Sequence, residues 1–457
     1  MAAQVTARAA EEKTLEELYR TSGNQLVLLY GRENCGKDEL IRSFCSDKRV
    51  FYYRARQASA QEQIRQMGRE IEQQYQIKLQ HFNYDEYFNR VKSGNASKLV
   101  VVIDEFQYIV KKDITFMNSI LKLKAKRLYP GPVMIILASS SVVWMEHDFQ
   151  ETYAEYIKKA EKSMKLDEVS FLDIVRRFPD YTVSQSVEVY GVLGGVPGYL
   201  KRWDEKKTLK ENVCTHILSP DGFLFGEAEN YISHELRELS IYNTILACIA
   251  AGNTKLNELY KNTGFSRAKI SVYIKNLMAF DVVEKVISFD TGGWENAKKG
   301  VYQISNTFVN FWFHFIYPNL SNLYRMEPEK FYDIYVEPGL NEYLNRYFVK
   351  VCNEYLILLN RIGKLPIEIH RQGTWVGKKG TIDIVAQNSI RQSVVGVCNW
   401  SQEYMDEGIV DELLDNMKQA RITAEYMYLF SAQSFSEKLI ARSKEDTRLI
   451  LVDMKEL

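Results

Sequence analysis

The stretch from Gln25 to Ile41, QLVLLYGRENCGKDELI, decides the fold of the first part of this chain. Leu26 to Tyr30 are an apolar run with the length and bulk of a buried strand. Gly31-Arg32-Glu33-Asn34-Cys35-Gly36-Lys37-Asp38 follow, and then Leu40, Ile41 and Phe44 at helical spacing. Strand, glycine-bounded loop, lysine and helix is the order of a phosphate-binding P-loop. The glycines let backbone amides turn toward an oxyanion, and the helix N-terminus adds partial positive charge. Gly31 to Glu39 form the expected cradle, with Lys37 as a point charge on the terminal phosphates. The pattern G-x-x-x-x-G-K-[ST] ends in a hydroxyl that ligates Mg2+, and here that residue is Asp38. A carboxylate also binds Mg2+, but it brings a negative charge close to the phosphates. Binding of ATP is therefore the reading, with its hydrolysis left open.

Further along, Leu99 to Ile103 form a second apolar run that ends in Asp104 and Glu105, VVIDEF. A buried strand ending in paired acids is the Walker B arrangement. Asp104, with Asp38, is the expected Mg2+ ligand, and Glu105 orients the attacking water. A third run, Val133 to Ala138, ends in three serines. Ser139 is the residue expected to reach between the acids and the γ-phosphate. Strands separated by helices and ending in polar loops imply a doubly wound parallel sheet, with its ligand at the carboxyl ends of the strands.

The totals set the frame. At 457 residues the chain has room for several cores. Lys+Arg and Asp+Glu are both 59, so no whole-molecule attraction to nucleic acid is indicated. Cysteines 35, 45, 214, 248, 352 and 398 are scattered without a C-x-x-C pair, which suits reduced thiols in a cytoplasm. The start, MAAQVTARAAEEKTLEELYR, reads as an amphipathic helix rather than a signal peptide. No apolar run approaches the roughly 18 residues of a membrane span. Phe308 to Tyr317, the most apolar piece, reads as a core helix.

Between Gln61 and Asn89 the Gln-rich segment keeps helical spacing, and Ser93 to Lys98 read as a turn. Gly194-Gly195-Val196-Pro197-Gly198 break two helices, as in a helical lid. Leu239 to Val286 predict three helices, with breaks at Gly252 and Gly264 and a cap at Ser266. Two wing strands, Val282 to Ile287 and Gly300 to Ile304, complete a winged helix-turn-helix. Its third helix carries Arg267, Lys269 and Lys275. So few bases favour packing over DNA contact, which remains the alternative. The last part predicts a helix over Asn341 to Leu359, then strands at Ile367 to His370, Thr381 to Ala386, Ser393 to Cys398 and Met427 to Phe430. Asp383 lies on the second strand, and the order suggests a restriction-endonuclease-like core. The expected domains are an ATPase core over 1–165, a helical lid over 166–235, a winged helix over 236–325 and a nuclease-like domain over 326–457.

Taken together, LYGRENCGKDELI, VVIDEFQYI, LASSS, VYGVLGGVPGYL, YQISNTFVNFWFHFIYPN and TIDIVAQN…VVGVCNW resemble the archaeal-type P-loop ATPases. The resemblance spans nearly the whole chain. It implies ATP at Gly31, Gly36 and Lys37, and Mg2+ and water at Asp104 and Glu105. Departures are Asp38 for the usual Thr, and an opening, Val5 to Glu11, without the Phe-x-Gly-Arg-Glu segment. In the last domain the resemblance assigns two further acids to Val349 and Val397 and a lysine to Asn399. Only Asp383 remains of that metal-dependent set, so packing or partner contact is expected there rather than nuclease activity. The readings carried forward are an ATP-binding switch with slow hydrolysis, a degenerate scaffold that binds a protein partner, and a DNA-binding regulator. Assembly into oligomers is left open.

Overall fold

The computed structural model describes residues 8–91, 97–125, 131–233, 236–289, 300–377, 380–401 and 403–456. The expected turn at 93–98 lies mostly outside them, as does Val5 of the opening. The chain divides into two compact units: Met1–Val169 with Val196–Lys201, and Ser170–Gly195 with Arg202–Leu457. The stretch expected as one lid, 166–235, is thus split between them.

In the first unit, helix α1 (Ala9–Arg20) precedes β1 (Gln25–Tyr30), and the P-loop leads into helix α2 (Lys37–Cys45). The remaining strands are β2 (Arg49–Arg54), β3 (Leu99–Asp104), β4 (Val133–Ser139) and β5 (Lys162–Lys165). Their order is β2-β3-β4-β1-β5, and every pairing is parallel. The central strands β1, β3 and β4 are buried along their whole length, which explains why they are apolar at every position instead of alternating. Leu26, Leu28, Val101, Ile103, Ile135 and Leu137 face helices Ala60–Tyr75, Tyr84–Val91 and Thr115–Ala125 through Met67, Ile71, Tyr87, Phe116 and Ile120. Val27, Leu29, Val100, Val102 and Ile136 face Leu15 of α1 and Leu40, Ile41 and Phe44 of α2. Burying apolar surface on both faces stabilises the sheet by about 25 cal/mol per Å2 and fixes its register, because a one-residue slip would exchange the faces.

In the second unit, helices Leu239–Ala250, Leu256–Thr263 and Arg267–Ala279 are followed by an antiparallel hairpin of β6 (Val283–Val286) and β7 (Val301–Ile304). Thr307–Phe311 and a π-turn at Trp312–Ile316 bury the most apolar segment. Helix Glu337–Arg361 leads to a mixed sheet of β8 (Arg371–Val376), β9 (Thr381–Gln387), β10 (Ser393–Asn399), β11 (Tyr426–Ser431) and β12 (Leu449–Asp453), ordered β12-β11-β10-β9-β8. The strand expected at Ile367 to His370 is not one. The Ile369 amide and carbonyl bond the Asn360 side chain, at 2.9 Å each, so that segment is tied to the last turn of the long helix and pairing begins at Arg371. No helix among the described residues is long and apolar enough to cross a membrane.

Candidate nucleotide-binding site

The P-loop is shaped by its glycines. Gly36 has φ +89°, which L-residues avoid, and it is the N-cap of α2. A Cβ on Gly31 would stand 2.7 Å from the Leu166 carbonyl oxygen and 2.8 Å from Cys35 Sγ, so only glycine fits. The Gly31 amide donates to the Ser139 carbonyl at 3.1 Å, which fixes the loop to the end of β4. Cys35 is buried, and that burial pushes its thiol up. Glu33, Asn34, Asp38 and Glu39 line the exposed rim, and Arg32 is half-buried.

Lys37, Asp104 and Glu105 meet where α2 begins and β3 ends. Lys37 Nζ is 3.3 Å from Asp104 Oδ1 and 3.0 Å from Glu105 Oε1, and all three side chains are 5% exposed or less. Burial alone would lower the lysine's pKa. The two carboxylates outweigh it and hold the ammonium above its ordinary range. Glu105 shows the converse. Burial pushes its carboxyl up, but Lys37 and donors from Ser140 and Gln107 bring it below the usual value. Glu105 also has φ +55°, an uncommon backbone for a non-glycine, and its Oε2 accepts from Ser140 Oγ at 2.6 Å and from Gln107 at 2.5 Å.

The serine contact falls one residue later than expected. Ser139 is the last residue of β4, and its hydroxyl accepts from the Ser141 amide; Ser140, just past the strand, turns toward the acid.

Sequence reading missed four contributors. Arg54 and Tyr52 come from β2, where Phe51 and Tyr53 point into the core and alternate residues face out. Arg54 registers opposite Asp104. Its Nη1 is 3.4 Å from Asp38 Oδ2 and 3.5 Å from Asp104 Oδ2, while the Tyr52 hydroxyl donates to the same Asp104 oxygen at 2.9 Å. The period-2 pattern of RVFYYR was the available signal. Arg8 is buried, and its guanidinium donates to the Cys35 carbonyl at 2.6 Å and to the Asp167 carbonyl. The Gly198 amide donates to the Asn34 carbonyl at 2.8 Å, so the breaker segment grips the P-loop itself.

Asp383, the one acid expected in the last domain, accepts from the Cys398 amide at 2.9 Å, and burial raises its pKa. Asn399 is buried.

A parallel five-stranded sheet that gathers a P-loop lysine and paired acids at its carboxyl edge defines a P-loop ATPase domain. Residues 6–203 match the model of an ATPase domain family predominantly from Archaea. Residues 312–417 match that of archaeal and bacterial proteins of unknown function. An uncharacterized protein of Methanocaldococcus jannaschii is 27% identical over 382 residues, covering 83% of this chain and 84% of that one. Among solved structures, a Walker-type ATPase of Pyrococcus abyssi is similar with a TM-score of 0.46 and 17% identity, over 68% of this chain and 96% of that one. The ORC2 protein of Aeropyrum pernix, solved as ADPNP and ADP complexes, gives 0.46 and 13%, over 71% and 95%. The chain thus carries an archaeal-type P-loop ATPase domain over residues 6–203.

Proposed function

We propose that this chain binds ATP at Gly31–Glu39 and acts as a nucleotide-responsive switch for a protein partner. The observation that carries the reading is the buried Lys37–Asp104–Glu105 cluster beneath a left-handed glycine at a helix N-terminus. On this reading Lys37 turns to the terminal phosphates, the P-loop amides and the α2 N-terminus hold their oxygens, and Glu105, fixed by Ser140 and Gln107, orients the attacking water in a slow hydrolysis. Asp38 and Asp104 are the oxygen donors the sequence assigns to Mg2+, but Arg54 already pairs with both. The residues as arranged therefore do not offer an open metal position.

The three helices and hairpin over 239–304 have the element order of a winged helix, and packing is the favoured role. Arg267 stacks on Tyr260 with its guanidinium carbon 4.1 Å from the ring centre, and Lys269 Nζ sits 4.7 Å from that of Phe265, so both are engaged by their own domain. Phe289, beyond β6, bonds its amide to the Thr374 carbonyl of β8 at 3.0 Å. The nuclease-like reading of the last sheet is of a non-catalytic fold, because Val349, Val397 and Asn399 offer neither acids nor a lysine.

ATP titration of the wild type beside Lys37→Ala tests the proposal. Saturable binding that the substitution abolishes is expected. Equal binding by both proteins, or none up to millimolar ATP, refutes it.

A further inference from the structure

The P-loop departs from pattern at Asp38, and β2 supplies the structural answer to that departure. A carboxylate where a hydroxyl is expected adds a negative charge beside Asp104 and Glu105. Arg54, on the edge of the same pocket, adds a positive one. Its Nη1 lies between Asp38 Oδ2 and Asp104 Oδ2, at 3.4 and 3.5 Å, and its Nη2 is 3.9 Å from Glu105 Oε1. Burial lowers the guanidinium's pKa, but Asp104, Asp38 and Glu105 together hold it raised.

Without nucleotide, Asp104 is already surrounded by donors and cations. An ionised carboxylate offers about four lone-pair positions. Here Oδ1 faces Lys37 and the Glu105 amide, and Oδ2 faces the Tyr52 hydroxyl and Arg54. Lys37 leaves Oδ1 when it turns to phosphate, but Oδ2 keeps Tyr52 and Arg54, and a divalent ion bridging this oxygen and Asp38 must displace one of them. Arg54 itself is half exposed, with a side-chain relative accessibility of 51%, so it stands at the solvent edge of the cluster. Guanidinium forks match phosphate oxygens in pairs, and unlike a metal they arrive with the chain.

We propose that Arg54 is the resident cation of this site, bridging Asp38 and Asp104 where the fold family places Mg2+, so that ATP binds against Lys37 and Arg54 without requiring a divalent metal. This rests on the ATP-binding reading above. It also accounts for Asp38, whose charge would otherwise repel the phosphates.

The test is equilibrium binding of ATP by calorimetry, in EDTA and in excess Mg2+, on the wild type, Arg54→Ala, Arg54→Lys and the double variant Asp38→Thr/Arg54→Ala. Wild-type affinities in the two buffers should agree within about threefold. Arg54→Ala should lose on the order of tenfold or more in EDTA, the size of a lost charge-assisted contact, and recover in Mg2+. Arg54→Lys should stay metal-independent at intermediate affinity, because it keeps the charge and loses the fork. The double variant should bind only with Mg2+. Arg54 is half exposed, so these substitutions open no core, and a matching circular-dichroism melt checks that. Wild-type binding that weakens about tenfold or more in EDTA overturns this inference alone, as does an Arg54→Ala loss equal in both buffers. Absence of saturable binding in either buffer instead defeats the ATP-binding reading, and this inference with it.

Discussion

Replacing Lys37 by methionine in the nucleotide-free protein should destabilise the first unit by about 3 kcal/mol at neutral pH, the lower end of the range for breaking one side of a buried ion pair. Methionine keeps the stem's bulk and removes only the charge. What remains is two carboxylates, Asp104 fully buried and Glu105 4% exposed, on consecutive residues. The lower end applies because neither is stripped of partners: Asp104 keeps Tyr52 and Arg54, and Glu105 keeps Ser140 and Gln107. Hydrogen exchange of β1 and β3 amides across a urea series reads this unit directly. The pH dependence supplies a second check. Glu105 has a lowered pKa in the folded protein, so its contribution is present above the ordinary carboxylate range and is lost as pH falls through the folded value. Without Lys37 that depression goes, and the gap between variant and wild type should narrow on acidification below about pH 4.5. A double variant with Glu105→Gln should recover part of the loss at neutral pH. A difference under about 1 kcal/mol, or one that acid leaves unchanged, would refute the claim that this lysine holds two buried charges together.

Three further outcomes follow from the same geometry. Ser140→Ala removes the 2.6 Å donor to Glu105 and should cost about 1–2 kcal/mol in urea unfolding, while Ser139→Thr should leave the acid's environment untouched. Arg8→Ala frees the Cys35 carbonyl from a buried guanidinium, so ATP affinity should fall several-fold in a binding titration while the melt of the second unit stays put. Asp383→Asn keeps an oxygen for the Cys398 amide. Burial raises the Asp383 pKa, so its protonation favours the folded state, and the variant's stability relative to wild type should be greatest at neutral pH and shrink on acidification in a pH series of melts.

How much of this could be read from residues alone depends on where the chemistry sits along the chain. β1, β3 and β4 were legible because strands buried on both faces are unbroken apolar runs, and each announces its functional end with an abrupt polar turn. β2 carries RVFYYR, half-exposed and aromatic, with no such turn, and so Arg54 and Tyr52 were passed over although they reach the same pocket. β5 is short and lysine-rich, and only its pairing to β1 makes it a strand. Ser139 and Ser140 are chemically identical neighbours, and which one meets Glu105 depends on where the strand's alternation stops. Arg8 and Gly198 are more than twenty residues from the loop they hold, at separations visible only once the chain is folded. In the last domain, Ile367 to His370 have strand-like residues, yet the Asn360 side chain claims the amide and carbonyl of Ile369.

Without nucleotide, Lys37 gives its charge to Asp104 and Glu105. A triphosphate at the P-loop competes for that ammonium, and one lysine cannot satisfy both sets at contact distance. On the proposed reading, binding therefore moves Lys37 away from the acids and leaves their charge to the neighbours that remain. For Asp104 these are Tyr52 and Arg54 on β2; for Glu105 they are Ser140 beyond β4 and Gln107, which opens the short helix Gln107–Val110. All of these are direct contacts, those to Glu105 short and buried, so a change in the acids' charge balance reaches β2, β4 and that helix without any hinge having to open. Glu105 is the natural pivot, because it touches Lys37, Ser140 and Gln107 together and already holds a backbone conformation, φ +55°, that its surroundings must maintain. A switch built this way needs only the phosphate's differential hold on one lysine, and that same difference sets the limit on how far nucleotide can shift the equilibrium.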